Sequence, residues 1–238
     1  MRHLRRLLTG NTHAGNHCLR MGARFASWNQ IPGDYLEFGC GSGRSLIEAY
    51  HAFRDARARV APELQPEDLA RFEAAKPRFF AFDSYQGLPE PRGIDAHPYR
   101  PLHWKKARYA FTVDAVKRTM RKRGVDLSDV HMIDGWFGET LTEATRRSHA
   151  ITLAAMVHVD CDYYESSVLA LDFIAPLAQD GTVIVFDDYN FFRGSPRLGE
   201  RRAFAEWLER NPRITAVELA RHDFSSTAFY LTLQETGA

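Results

Sequence analysis

Short apolar runs alternate along this chain with stretches whose apolar positions recur every three to four residues. The runs at 35–38, within 77–83, at 130–133, 156–160 and 182–186 have the length and β-branched or aromatic content of buried strands. Between them lie helical patterns. One opens at Arg44 with Leu46, Ile47, Tyr50 and Phe53 on its inner face, and others occupy 111–122, 163–179 and 201–210, the last with Phe204, Trp207 and Leu208 inward. The 163–179 pattern is expected to open near Ser166 and Ser167, which are good caps, and to stop at Pro176. Residues 61–77, with Pro62, Pro66 and Pro77 among charges, read as a surface helix and loop. Two final β-rich runs, 214–219 and 226–233, are separated by a short polar turn and are therefore expected to be antiparallel. Strand–helix alternation of this kind predicts an α/β fold with a mostly parallel sheet.

The strand ends carry the chemistry. The 156–160 run closes on Asp160 and Asp162, and the 182–186 run on Asp187 and Asp188. A helix-length crossover makes these strands parallel neighbours, so their carboxyl ends share one edge of the sheet, where open α/β sheets bind ligands. Two unit charges 4 Å apart repel by roughly 1 kcal/mol in water and about 4 kcal/mol at an effective dielectric of 20. A shared proton, a basic side chain or a cation must offset that repulsion. Hard oxygen ligands without a Cys/His tetrad suit Mg2+, Ca2+ or Mn2+ rather than structural zinc. Any one of these aspartates could instead cap a helix or start a turn; four together favour the cation.

The first strand runs into a glycine turn, Gly39, Gly41 and Gly43, at the mouth of a helix, a place suited to anionic or polar ligand groups. A dinucleotide fingerprint would read GxGxxG, but Arg44 stands where its third glycine should be. The E-x-G-x-G-x-G spacing instead resembles that of S-adenosylmethionine (SAM) methyltransferases, in which the acid, here Glu37, lies near the methionine end of the cofactor. Asp83, closing the second strand, is well placed for two ribose hydroxyls, or for starting a turn before Ser84. Asp134, Gly135 and Trp136 close the third strand, where an adenine would lie; Trp136 could equally be core. Ser45 and Ser84 flank these turns and complete the expected cofactor-binding set.

Residues 87–110 have no periodicity and are rich in Pro, His and aromatics, with Lys105, Lys106 and Arg108 near the end, which reads as a lid or substrate loop. His97 and His103 lie within it and are read as surface residues in the first instance. The first acidic residue is Asp34; the preceding Arg2, Arg5, Arg6, Arg20 and Arg24 suggest either a transit peptide or, preferred here, an N-terminal helix and loop packing on the domain or covering the ligand edge. Net charge is +1, from 31 basic and 30 acidic residues, so no global field favours nucleic acid or a membrane surface. Mean hydropathy is −0.38, and no apolar run approaches the ~20 residues of a membrane span. Three cysteines without CxxC spacing fit a reducing cytoplasm.

Five segments in order, GDYLEFGCGSGRSL, FDSYQGLPEP, GWFGETL, HVDCDYYESSVLALDFI and GTVIVFDDY, resemble the macrocin-type O-methyltransferases over roughly residues 30–210. That resemblance implies the class I SAM-methyltransferase (Rossmann-like) fold, a seven-stranded sheet ending in an antiparallel pair. It implies SAM and magnesium (or Mn2+ or Ca2+) as cofactors, and a small-molecule acceptor bearing one or two hydroxyls, typically a sugar of an antibiotic. By it Asp160, Asp187 and Asp188 are metal ligands, Asp162 the general base, Asp83 the ribose contact and the Asp134–Trp136 turn the adenine contact. The expected layout is one methyltransferase domain, 1–238, with 1–30 as extension or lid and 84–110 as lid or substrate loop; a homo-oligomer is compatible with it. The alternatives are a catechol-type methyltransferase, for which a flat slot lined by Trp104, Phe191 or Phe192 would speak, a NAD-dependent dehydrogenase, and a non-catalytic SAM-binding protein. Nucleic-acid base methylation is disfavoured, because Asp160-Cys161-Asp162 replaces the (D/N)PP(Y/F) segment after the fourth strand and no basic stripe is evident.

Overall fold

Of the parallel strands of the computed structural model, which describes residues 16–234, the inner four are buried and read as near-continuous apolar runs for that reason, while the edge strand at 130–134 is only half-buried. They are β1 (Asp34–Phe38), β2 (Phe79–Asp83), β3 (Val130–Asp134), β4 (Ala154–Val159) and β5 (Val183–Phe186). With β6 (Ile214–His222) and β7 (Ser226–Leu233) they form one sheet in the order β3-β2-β1-β4-β5-β7-β6, and β7 runs antiparallel to both β5 and β6. The chain order reverses between β1 and β4. Ligands bind at such switch points, outside the carboxyl ends of the strands.

Helices cover both faces. On one side α1 (His17–Trp28), α2 (Arg44–Val60) and α4 (Val113–Lys122) pack on Tyr35, Phe79, Ala81, Met156, Val183 and Val185. On the other, α7 (Tyr164–Ile174) and α8 (Gly199–Arg210) cover Leu36, Phe38, Phe80, Phe82, Val157, Ile184 and Phe186. Each fully buried Phe or Leu of this layer contributes about 1.5–3 kcal/mol relative to exposure. Period-two alternation also puts two polar residues on the first face: Glu37 of β1 pairs in register with His158 of β4, and both are fully buried.

The remaining helices are α3 (Pro66–Ala74), within the expected surface insertion, and two short ones, α5 (Phe137–Thr140) and α6 (Glu143–Ser148). The α1 helix lies within the stretch expected to hold an N-terminal helix, whereas residues 1–15, and with them most of the expected basic extension, lie outside the described residues. No helix among the described residues is long and apolar enough to cross a membrane.

The 84–110 stretch is irregular, as expected, apart from a 3-10 turn at Gly93–Ala96, but it is anchored. Leu88 and Arg108 close its base: the Leu88 N–H donates to the Arg108 carbonyl, and the Ala107 N–H to the Leu88 carbonyl, each at 2.9 Å. Trp104 is buried against Tyr163, Phe192 and Leu198. Asp95, also buried, accepts from the backbone N–H groups of Tyr164 (2.8 Å) and Glu165 (3.2 Å), and so caps α7 from 69 residues away. The cap explains why α7 opens at Tyr164 rather than at the expected Ser166.

Candidate active site

A cleft of about 1140 Å3 runs along the carboxyl edge of the sheet. One end is walled by the turn after β1, the other by aromatic residues of the 84–110 loop and of the loop after β5. Of the expected site residues, Gly39, Gly41, Ser45, Asp83, Ser84, Trp136, Asp160, Asp162, Asp187 and Asp188 all line it. Glu37, Gly43, Asp134 and Gly135 do not.

Gly39 owes its place to chain packing. A Cβ there would stand 1.9 Å from the Asp160 carbonyl, and the φ of +92° is itself one that L side chains rarely adopt. The close approach lets the Asp160 N–H donate to the Phe38 carbonyl at 2.9 Å, extending the β1–β4 ladder to the base of the cleft. A Cβ at Gly41, by contrast, would meet only the Phe111 ring, in ordinary contact at 3.8 Å. Its N–H donates to Asp83 Oδ2 at 2.7 Å, while Asp83 Oδ1 accepts from the Tyr85 N–H at 2.6 Å. The two expectations for Asp83 thus coexist: it lines the cleft and it also builds the turn. Burial pushes its carboxyl up, and the N–H groups of Gly41, Tyr85 and Cys40 pull it back only in part.

Glu37 is sealed beneath the glycine turn. Its Oε1 accepts from Ser45 Oγ at 2.9 Å and its Oε2 from the Tyr35 hydroxyl. His158 Nδ1 lies 3.5 Å from Glu37 Oε2, and its Nε2 4.0 Å from Asp187 Oδ1. Neither ring nitrogen has a partner in good hydrogen-bond geometry. Burial pulls its pKa down, yet Glu37, Asp160 and Asp187 outweigh that and push it up to about 9.

At the centre, one oxygen from each of Asp160, Asp187 and Asp188 lies within 4.8 Å of the others. Burial pushes the carboxyls of Asp160 and Asp188 well above the usual range; Asp187 adds to the Asp160 shift, and Asp162 followed by Asp187 to the Asp188 shift. Among the described residues no lysine or arginine pairs with these three, and His158 near Asp187 is the nearest cationic partner. Asp187 Oδ1 accepts from Asn16 Nδ2 (3.1 Å) and Ser226 Oγ (2.8 Å), which aims the carboxylate. Asp162 is buried beside them in a left-handed conformation, φ +64°, uncommon for a residue with a side chain, and is within hydrogen-bonding reach of Asp188. Burial, then Asp160 and Glu200, raise its pKa well above that of an ordinary aspartate.

Sequence reasoning did not single out Asn16, His158, Glu200 or Ser226. Each reaches the cluster through tertiary contacts that no local spacing records. His158 alone left a trace, as a polar residue inside an apolar strand.

The model of the macrocin-O-methyltransferase (TylF) family matches residues 67–214 of the chain. An 8-demethyl-8-(2,3-dimethoxy-alpha-L-rhamnosyl)-tetracenomycin-C 4'-O-methyltransferase of Streptomyces olivaceus is 30% identical over 162 residues, 67% of this chain and 54% of that protein. A demethyldecarbamoylnovobiocin O-methyltransferase of Streptomyces niveus is 27% identical over 169 residues, 68% of this chain and 54% of that protein. The chain therefore spans about half the length of the curated relatives it matches. Among solved structures, the O-methyltransferase NovP superposes with a TM-score of 0.64 at 22% identity, covering 90% of this chain and 78% of that one. The calicheamicin methyltransferase CalS11 does so with a TM-score of 0.64 at 19% identity, covering 96% and 90%. Identities this low establish a common fold and nothing finer.

Proposed function

This chain belongs to the macrocin-O-methyltransferase (TylF) family, and on that premise we propose that it is a SAM- and divalent-metal-dependent O-methyltransferase acting on a sugar hydroxyl of a glycosylated natural product. The observation that carries the reading is the meeting of Asp160, Asp187 and Asp188 within 4.8 Å of one another in the cleft that begins at Gly39 and Gly41. Three hard carboxylate donors with no lysine or arginine partner among the described residues fit a divalent cation, with Mg2+ the first choice.

SAM supplies an electrophilic methyl on a sulfonium sulfur. A divalent ion held by the three aspartates supplies a lowered pKa and a fixed direction for the acceptor oxygen. The chain's own residues supply the rest. Gly39, Gly41 and Ser45 form the donor wall, Asp83 and Ser84 lie where ribose hydroxyls are expected, and Trp136 offers a face to the adenine. Glu37, Gly43, Asp134 and Gly135 support these turns from outside the cleft. Asp162 takes the proton released by the acceptor hydroxyl. An ordinary carboxylate, pKa about 4, is a weak base for an alcohol, and burial moves Asp162 in the useful direction. Holding donor and acceptor in line contributes several kcal/mol more, with about 7–11 kcal/mol as the ideal limit. The anchored 84–110 loop excludes water from one side.

The acceptor end carries a second reading. Trp104 and Phe191 line the cleft with ring centroids 5.1 Å apart, but their planes meet at 49°, so they make a single apolar wall rather than a flat slot. A sugar with an apolar aglycone suits that wall better than a bare catechol. One domain is supported by all seven strands sharing one sheet, and a cytoplasmic setting by three cysteines that are free and buried. Methyl transfer from labelled SAM to a panel of glycosides and aromatic diols, with and without EDTA, tests the reading. Turnover on glycosides that EDTA and Asp160→Asn each abolish, with SAM binding retained, is expected. Undiminished turnover in EDTA overturns the metal role, and turnover confined to aromatic diols overturns the acceptor class.

A further inference from the structure

Glu200 is buried with 1% of its surface exposed, at the start of α8 and outside the cleft, in a neighbourhood already crowded with carboxylates. Adding a fifth acid behind Asp160, Asp162, Asp187 and Asp188 is unfavourable by charge alone, and no lysine or arginine among the described residues pairs with it. Its position makes sense through the backbone. Glu200 Oε2 accepts from the Asp188 N–H at 3.0 Å, and the Cys161 N–H is close enough to the same carboxyl to hold its pKa down. Those two N–H groups belong to the two turns that carry the aspartates, one after β4 and one after β5. Beyond Val159 and Phe186 the two turns leave the β4–β5 register, although the Asp187 N–H still reaches the Val159 carbonyl at 3.0 Å. A carboxyl bonded to the Asp188 N–H and lying beside the Cys161 N–H sets the spacing where the ladder ends.

We infer that Glu200 is a positioning residue, which holds the turn bearing Asp160 and Asp162 at a set distance from the turn bearing Asp187 and Asp188, so that three carboxylates meet at cation-binding separation. Groups that orient metal ligands from behind typically alter metal affinity by about 10–100-fold when removed. The inference rests on the reading of Asp160, Asp187 and Asp188 as a cation site.

Geometry and charge order two variants oppositely. Glu200→Gln keeps an acceptor oxygen at full reach and loses the charge; Glu200→Asp keeps the charge and withdraws the acceptor by one methylene. Mg2+ binding to the full chain, measured by calorimetry beside SAM binding and thermal melting, separates them. Expected is Mg2+ affinity within about threefold of the parent protein for Glu200→Gln and weaker by about 10–100-fold for Glu200→Asp, with SAM affinity unchanged in both. Glu200→Ala behaves as Glu200→Asp if it folds, but the Gln/Asp order decides without it. Equal affinities for Gln and Asp, or the reverse order, overturn the inference while leaving the cation site standing. Absence of Mg2+ binding by the parent protein overturns the cation site itself, and Glu200's role with it.

Discussion

Asp162 combines three features that rarely meet in one residue: near-complete burial, a left-handed backbone and close carboxyl neighbours. A conformation of this kind costs of order 1 kcal/mol or more and persists only where surrounding contacts over-determine it. Here Asp160 and Asp188 lie on either side, and the Tyr163 N–H turns back to the Cys161 carbonyl at 2.6 Å. A base and a metal ligand would respond differently to loss of charge. Asp162→Asn is expected to lower kcat by at least about 100-fold, within the usual range for a general base, with Mg2+ and SAM affinities nearly intact. Loss of Mg2+ binding in calorimetry would instead make Asp162 a ligand.

At the scale of elements, β1, β2, β4 and β5 were legible because burial leaves them as near-continuous apolar runs, and the carboxyl ends of β2, β3, β4 and β5 could be located because each stops at or just before an acid. Asp83, Asp160, Asp187 and Asp188 were found in that way. The short helices α5 and α6 were not, since four and six residues are too few for a period of 3.6 to declare itself. The start of α7 was misplaced because its cap is Asp95, from the loop after β2. Glu200 was invisible for a related reason: an acid in the first turn of a helix looks like an ordinary dipole partner until the fold places it behind two other loops. Asp95→Ala removes the α7 cap and one anchor of the 84–110 loop together. It is expected to cost about 0.5–2 kcal/mol of stability, read by thermal melting. Hydrogen exchange should rise both at 88–108 and at the first turn of α7, whereas a cap with no hold on the loop would change only the latter.

At the scale of the molecule, a cleft of about 1140 Å3 exceeds the roughly 300–1,000 Å3 of a pocket for one drug-sized ligand, as a site for two reactants requires. The two ends of the cleft meet at the acidic cluster, at the point where strand order reverses. Because that cluster gathers like charges, a bound cation should stabilise the whole fold. At about 100 times its Kd, Mg2+ is expected to add roughly 2.7 kcal/mol. That corresponds to a rise in Tm of about 5–11 °C for a chain of this size. Asp188→Asn should abolish the rise, and an equal rise in that variant would place the ion elsewhere.

Asn16 gives this arrangement an unexpected reach. Its Oδ1 accepts from the N–H groups of Cys18 and Leu19, starting α1, while its Nδ2 holds Asp187, 171 positions further along. One amide thus fastens the leading edge of a helix to the acidic cluster, where Ser226 holds the same carboxylate oxygen. Replacing Asn16 would therefore remove a helix cap and a partner of Asp187 in one stroke.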